Sequence, residues 1–282
     1  MPELPTSVDR ATYVREMFGA ISPQYDFLNH FLSAGLDLRW RRRAAAACIE
    51  ALGIRVACPQ PGRLGDPLSR GHASATDSCP GNGGLGMPPP VVLDLCCGTG
   101  DLALAVLAQG AGRVVACDFS RPMLARAAAK FARKGVAGRT ALVEADALAL
   151  PLPDGAVDAV TCGFGLRNLA DTGRGLAEMM RVLAPGGAAV ILEFHLPRAR
   201  GPLAGTFGLY FRRILPRLGG WISGGGHGGY RYLVESIEAF GPPQATAAAM
   251  ERAGFQDVCI EPLTGGIASV YVGTRHASQA MP

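Results

Sequence analysis

Val91-Val92-Leu93-Asp94-Leu95-Cys96-Cys97-Gly98-Thr99-Gly100-Asp101 is the stretch on which the reading of the fold turns. Five mostly apolar residues run straight into a glycine-containing turn, the pattern of a short strand buried on both faces. Glycines directly after a strand let the backbone bend sharply and leave room for a ligand against it. Gly98, Gly100 and Ala103 also satisfy the relaxed G-x-G-x-x-G/A spacing. On its own that spacing does not distinguish one nucleotide-like ligand from another.

Outward from this stretch the chain alternates. The pattern predicts helices over Asp101–Gln109, Pro122–Lys134 and Asp171–Leu183, and strands over Arg113–Cys117, Thr140–Glu144, Ala156–Thr161 and Ala188–Phe194. Ser120 is the expected N-cap of the second helix, with Pro122 in its first turn. Pro185-Gly186-Gly187 is the expected turn into the last of these strands. Strands alternating with helices imply a parallel sheet covered on both faces. The end of the chain differs: a helix over Gln244–Ala253, capped by Gly254, precedes runs Gln256–Glu261 and Ala268–Thr274 that read as an antiparallel hairpin. The expected fold is therefore α/β: a doubly wound, mostly parallel seven-stranded sheet ending in an antiparallel hairpin. A helical region occupies residues 1–55, a Gly-, Pro- and Ser-rich insertion residues 56–90, and the main domain 91–282, with a lid insertion at about 196–240.

Composition narrows the class. Of 282 residues 49% are hydrophobic and 18% charged, as in ordinary globular enzymes. Twenty-seven basic against 23 acidic residues give a net charge of +4, too mild for a nucleic-acid binder. The eight cysteines form no CxxC pair and no metal-ligand spacing, so no metal is expected. The first residues lack an apolar secretory run, and no stretch reaches the roughly 20 apolar residues of a membrane span. A cytoplasmic protein is expected.

The ligand reading builds along the strands. The second strand ends at Asp118, 20 residues beyond Gly98, where a carboxylate can accept both hydroxyls of a ribose. Asp146 and Ala147 follow the third strand, where an adenine would lie. Pro153-Asp154-Gly155-Ala156-Val157-Asp158 and Pro185-Gly186-Gly187 then resemble later motifs of the class I S-adenosylmethionine-dependent methyltransferases.

The resemblance narrows further at three stretches covering nearly the whole chain except the insertion. Met17-Phe18 through Tyr25-Asp26-Phe27-Leu28-Asn29, with Ser33-Ala34-Gly35 and Trp40-Arg41, is the first. Gly163-Phe164-Gly165-Leu166-Arg167-Asn168-Leu169 with Asp171 is the second, and Tyr230-Arg231-Tyr232-Leu233, Ser236-Ile237 and Phe240 the third. Together they resemble the C-methyltransferases of ubiquinone and menaquinone biosynthesis. The resemblance implies S-adenosylmethionine as methyl donor, held by Gly98, Thr99, Gly100, Asp118, Asp146 and Ala147. Gly163 stands where many relatives have a cofactor-holding serine, which leaves only backbone contact there. It further implies a polyprenyl quinol acceptor, met by Arg167 and Asn168 with help from Tyr25 and Asp101.

Carbon methylation needs an electron-rich ring carbon aimed at the sulfonium methyl, and no metal. An arginine stays protonated and is a poor base, so Arg167 would hold a phenolate or polarise a water; a salt bridge stabilising its loop is the plainer role. For Tyr25 the plainer role is packing. Leu203, Phe207, Tyr210, Phe211, Ile214 and Leu218, interspersed with Arg212, Arg213 and Arg217, read as an amphipathic basic helix. It suits a lid over the site, peripheral contact with the inner face of a membrane, or both. A homo-oligomer is compatible with the sequence. Another small-molecule or lipid methyltransferase, or a scaffold subunit that keeps the fold, are the competing functions. Gly163 leans the acceptor toward demethylmenaquinol over the 2-methoxy-6-polyprenyl-1,4-benzoquinol.

Overall fold

The computed structural model describes residues 7–22, 25–33, 35–53, 89–195 and 228–277. All of the expected insertion but its last two residues lies outside the described residues, as does 196–227, including the amphipathic basic helix.

Seven strands form one sheet: β1 (Val91–Leu95), β2 (Arg113–Asp118), β3 (Thr140–Glu144), β4 (Val157–Gly163), β5 (Leu183–Phe194), β6 (Gln256–Leu263) and β7 (Ala268–Thr274). Their order is β3-β2-β1-β4-β5-β7-β6. The first five pair in parallel, and β7 is antiparallel to both β5 and β6. The winding direction reverses between β1 and β4, the point at which doubly wound sheets open a crevice at their strand carboxyl ends.

Period-two alternation sends side chains into two cores. Val92, Val114, Val190 and Val270 face α3 (Leu36–Ala51), α4 (Asp101–Ala108) and α5 (Arg121–Arg133). Leu93, Val160, Ile191 and Tyr271 face α6 (Thr172–Val182) and α8 (Pro243–Arg252). The helices α1 (Ser7–Ile21), α2 (Tyr25–Leu32) and α7 (Gly228–Phe240) complete the described elements. α3 buries Trp40, Ala44, Cys48 and Ile49 on the first core, and the Trp40 indole donates to Thr264 Oγ1 at 2.8 Å, fixing the helix to the β6–β7 connection.

Three local expectations are corrected. Ser120 occupies the N-cap position of α5, but its hydroxyl makes no capping bond and has no hydrogen-bond partner among the described residues; the first turn relies on Pro122 instead. Pro185-Gly186-Gly187 does not precede β5 but interrupts it: Leu183 already pairs with Val157, and pairing resumes at Ala159–Ala188 after a bulge. β6 runs through Pro262 to Leu263, because Pro262 sits on an edge strand, where its missing N–H costs no ladder bond.

Candidate active site

The carboxyl ends of β1, β2, β3 and β4 wall a cleft enclosing about 860 Å³ of empty space, counting the part open to solvent. α1 and α2 cover one side with Val14, Arg15, Phe18 and Tyr25.

The β1–α4 loop forms the floor. Cys96, Gly98 and Gly100 all take left-handed backbone angles, with φ of 54°, 54° and 84°. Gly100 is obligatory: a Cβ there would lie 2.5 Å from the Phe131 ring on α5. Over Gly98 the nearest atom to an added Cβ is Tyr25 Cε1 at 3.9 Å, so the space above the loop stays open. Asp118, at the end of β2, straps this loop down: Gly98 N donates to Oδ2 at 2.8 Å and Ser120 N to Oδ1 at 2.9 Å. Burial pushes the Asp118 carboxyl up, and these backbone donors pull against it. Cys96 lines the cleft, but its hydrogen bond with Cys162 and its burial raise its thiol far above the ordinary value, which makes it no nucleophile.

On the next wall Asp146 accepts from Leu148 N at 2.9 Å, and Ala147 is buried beside it. With Asp118, Phe119, Met123 and Leu148 they give the cleft apolar sides and two carboxylates. Gly163 also lines the cleft, and a Cβ on it would meet Leu102 Cδ2 at 3.0 Å and Arg41 Nη1 at 3.6 Å. The room a serine would use here is occupied by those two side chains.

The second signature folds into a 3-10 turn over Leu166–Asn168. Asn168 faces the cleft; its Nδ2 donates to Phe164 O at 3.2 Å and its Oδ1 accepts from Tyr232 OH at 3.2 Å. Tyr25 lines the same cleft, edge-on to Phe18 at 5.8 Å between centroids. Arg167 instead turns inward. Its Nη1 donates to Glu193 Oε1 at 2.6 Å and to Phe164 O at 2.7 Å, and its backbone N donates to Glu193 Oε2 at 3.2 Å. Glu193 is fully buried in β5 and Arg167 is 6% exposed.

Thr99 and Asp101 also lie behind the cleft surface, in a charged knot that sequence reasoning missed. Lys130 of α5 donates to Asp101 Oδ1 at 2.6 Å and to Thr99 Oγ1 at 3.0 Å, and pairs with Asp26 Oδ2 at 2.7 Å. Thr99 in turn donates to Asp26 Oδ1. A signal for Lys130 existed: it falls on the same helix face as Met123, Leu124, Ala127 and Phe131, where an unpaired lysine would be costly.

The residues present fit S-adenosylmethionine. The open floor over Gly98 accommodates a chain running along the loop, Asp118 and Asp146 offer acceptors for hydroxyl and amino donors, and the apolar walls suit an adenine. Sheet order and cleft together define an S-adenosylmethionine-dependent methyltransferase of class I. The model of the ubiE/COQ5 methyltransferase family matches residues 79–275, and the chain belongs to that family. A demethylmenaquinone methyltransferase of Thermus thermophilus is 45% identical over 260 residues, which are 92% of this chain and 100% of that protein. One of Deinococcus radiodurans is 40% identical over 97% of each chain. A ubiquinone/menaquinone biosynthesis C-methyltransferase of Geobacter sulfurreducens is 38% identical over 95% of this chain and 90% of its own. A solved structure titled as a possible exported protein of Bordetella parapertussis matches with a TM-score of 0.52 at 21% identity, over 67% of this chain and 63% of that one; it shows the fold alone.

Proposed function

We propose that the protein moves the methyl group of S-adenosylmethionine to a ring carbon of a polyprenylated quinol, with demethylmenaquinol as acceptor. The observation that carries this reading is a cleft lined by Gly98, Asp118 and Asp146 of the expected cofactor set together with Tyr25 and Asn168 of the expected acceptor set. The relatives named for demethylmenaquinone methylation support the choice of acceptor.

In this reading Asp118 holds the ribose, Asp146 and Ala147 the adenine, and the Gly98–Gly100 backbone with Gly163 the remainder. Bound S-adenosylmethionine supplies an electrophilic methyl on a sulfonium. That methyl would go to a ring carbon of the quinol, with the displaced ring proton passing to water. Asn168 and Tyr25 orient the quinol from the cleft wall. Arg167 acts from behind: by holding Phe164 O and Glu193 it fixes the turn that presents Asn168. Asp101 steadies the loop from the other side through Lys130.

A polyprenyl acceptor resides in a bilayer, so peripheral membrane contact belongs to the same proposal. Among the described residues no helix is long and apolar enough to cross a membrane. The test incubates the purified protein with methyl-labelled S-adenosylmethionine and, in separate vesicles, demethylated naphthoquinol or benzoquinol. Label on a ring carbon of the naphthoquinol is expected. Cofactor binding with no label in either quinol would overturn the reading.

A further inference from the structure

Lys130 is the one buried cation of α5, and its surroundings are specific. The ammonium has three donors, and three oxygens from three different elements meet it: Asp101 at the start of α4, Thr99 in the β1–α4 loop, and Asp26 of α2. The side chain of Lys130 is 10% exposed, that of Asp101 15% and that of Asp26 35%. The next residue of the helix, Phe131, packs beneath Gly100 so closely that no side chain fits there. Consecutive residues of α5 therefore grip residues 99, 100 and 101 of the loop.

The Asp26 bond has a different meaning from the other two. Thr99 and Asp101 flank the loop's own bend, but Asp26 belongs to a helix that reaches the site from the N-terminal region. Tyr25, its neighbour, lines the cleft. The described bonds that tie the start of α2 to the loop are those Asp26 accepts from Lys130 and Thr99. Further along, His30 pairs with Asp37 at 2.8 Å and approaches Asp101 Oδ2 at 3.9 Å, which sets the far end of the helix against the same carboxylate. Without the ammonium, Asp26 and Asp101 would face each other as like charges and push α2 away from the loop.

We propose that Lys130 is a positioning residue: it docks α2 on the cofactor loop, so that one ammonium sets both the loop under the methyl donor and Tyr25 beside the acceptor. The proposal rests on the cleft being the methyl-transfer site. It assigns Lys130 no contact with either substrate.

The test compares Lys130→Met, which keeps the stem and removes the charge, with Asp26→Asn and the double variant, all in the full chain. Hydrogen exchange read by mass spectrometry should rise at least about tenfold over residues 25–32 in Lys130→Met, while β1, β4 and β5 stay protected. Turnover should fall by a comparable factor, with a smaller change in the KM for S-adenosylmethionine. Asp26→Asn should act in the same direction but less strongly, and adding it to Lys130→Met should bring exchange part of the way back, since it removes the like charge left facing Asp101. Wild-type exchange over 25–32 in Lys130→Met would overturn the proposal, as would effects of the two substitutions that multiply. Should Lys130→Met fail to fold, Asp26→Asn alone decides, because Lys130 keeps Asp101 there: unchanged exchange in α2 refutes the docking. If the wild-type protein methylates no quinol, the functional reading fails, and the exchange experiment still tests α2 docking by itself.

Discussion

Two ion clusters stand behind the cleft surface, and they are built differently. Arg167 and Glu193 are sealed: one sits on the turn after β4, the other within β5, and neither has appreciable exposure. The Lys130 cluster is shared among α2, α4, α5 and the β1–α4 loop, and its Asp26 arm is a third exposed. A sealed pair between sheet-borne elements has nowhere to go when broken, so its loss falls on the stability of the fold. A pair that reaches an outlying helix can be relieved by moving that helix, so its loss falls on the geometry of the site. One cluster holds the scaffold and the other sets the cover.

The largest effect expected from this contrast is at the sealed pair. Arg167→Ala leaves a buried carboxylate uncompensated and should cost about 3–5 kcal/mol in denaturant unfolding. Arg167→Met with Glu193→Leu should recover most of that stability, since apolar residues of similar volume often replace a buried pair without loss. In the double variant methyl transfer should still be low, because Asn168 has lost the turn that presents it. Stability that stays down in the double variant would contradict the sealed-pair reading.

Asp94 sharpens the contrast as a buried carboxyl without a full ion pair. It lies in β1, accepts from Thr161 Oγ1 at 2.8 Å, and burial pushes it up to about 7. A carboxyl raised in the folded state stabilises most below its unfolded value, about 3.9, and that contribution disappears as pH rises through about 7. Unfolding free energy should therefore decline by about 2–3 kcal/mol from this group between pH 5 and 8. Asp94→Asn should flatten that slope, and an unchanged slope would place the titration elsewhere.

At the cofactor end Asp118→Ala should weaken S-adenosylmethionine binding at least about tenfold by calorimetry, through lost acceptors and a β1–α4 loop released from its strap. Unaltered affinity would remove Asp118 from the binding set.

The smallest effect concerns the exposed arm. Burial raises the Asp26 carboxyl, but hydrogen bonds from Lys130 and Thr99 outweigh it and hold the group below its ordinary value. The depressed group stabilises fully above about pH 4 and loses its contribution as pH falls below that. Protection of α2 against hydrogen exchange should drop over that acid range in the wild type and be pH-independent in Asp26→Asn.

The sheet was legible because its central strands β1, β4 and β5 are largely apolar runs, and Asp118 and Asp146 lie at or just after the ends of β2 and β3. Asp118 and Asp146 could be placed by counting. What surrounds Arg167 could not: Glu193 is 26 residues away, and only the β4–β5 register brings the two together. Lys130 lies 29 residues beyond Asp101 and 104 beyond Asp26, and its role depends on how α5 and α2 pack rather than on local pattern. His195, just beyond β5, bonds Tyr271 OH and Gly241 O, and burial holds its imidazole below the ordinary value.

The position of β7 has a consequence for synthesis. It is the last strand in chain order, yet it lies between β5 and β6 and covers Ala188–Phe194 along its whole length. While the ribosome is still adding residues 268–274, β5 presents an open, apolar edge that can pair with any other nascent strand. A polypeptide stalled before Ala268 would carry every residue discussed for the cleft and still be an aggregation hazard.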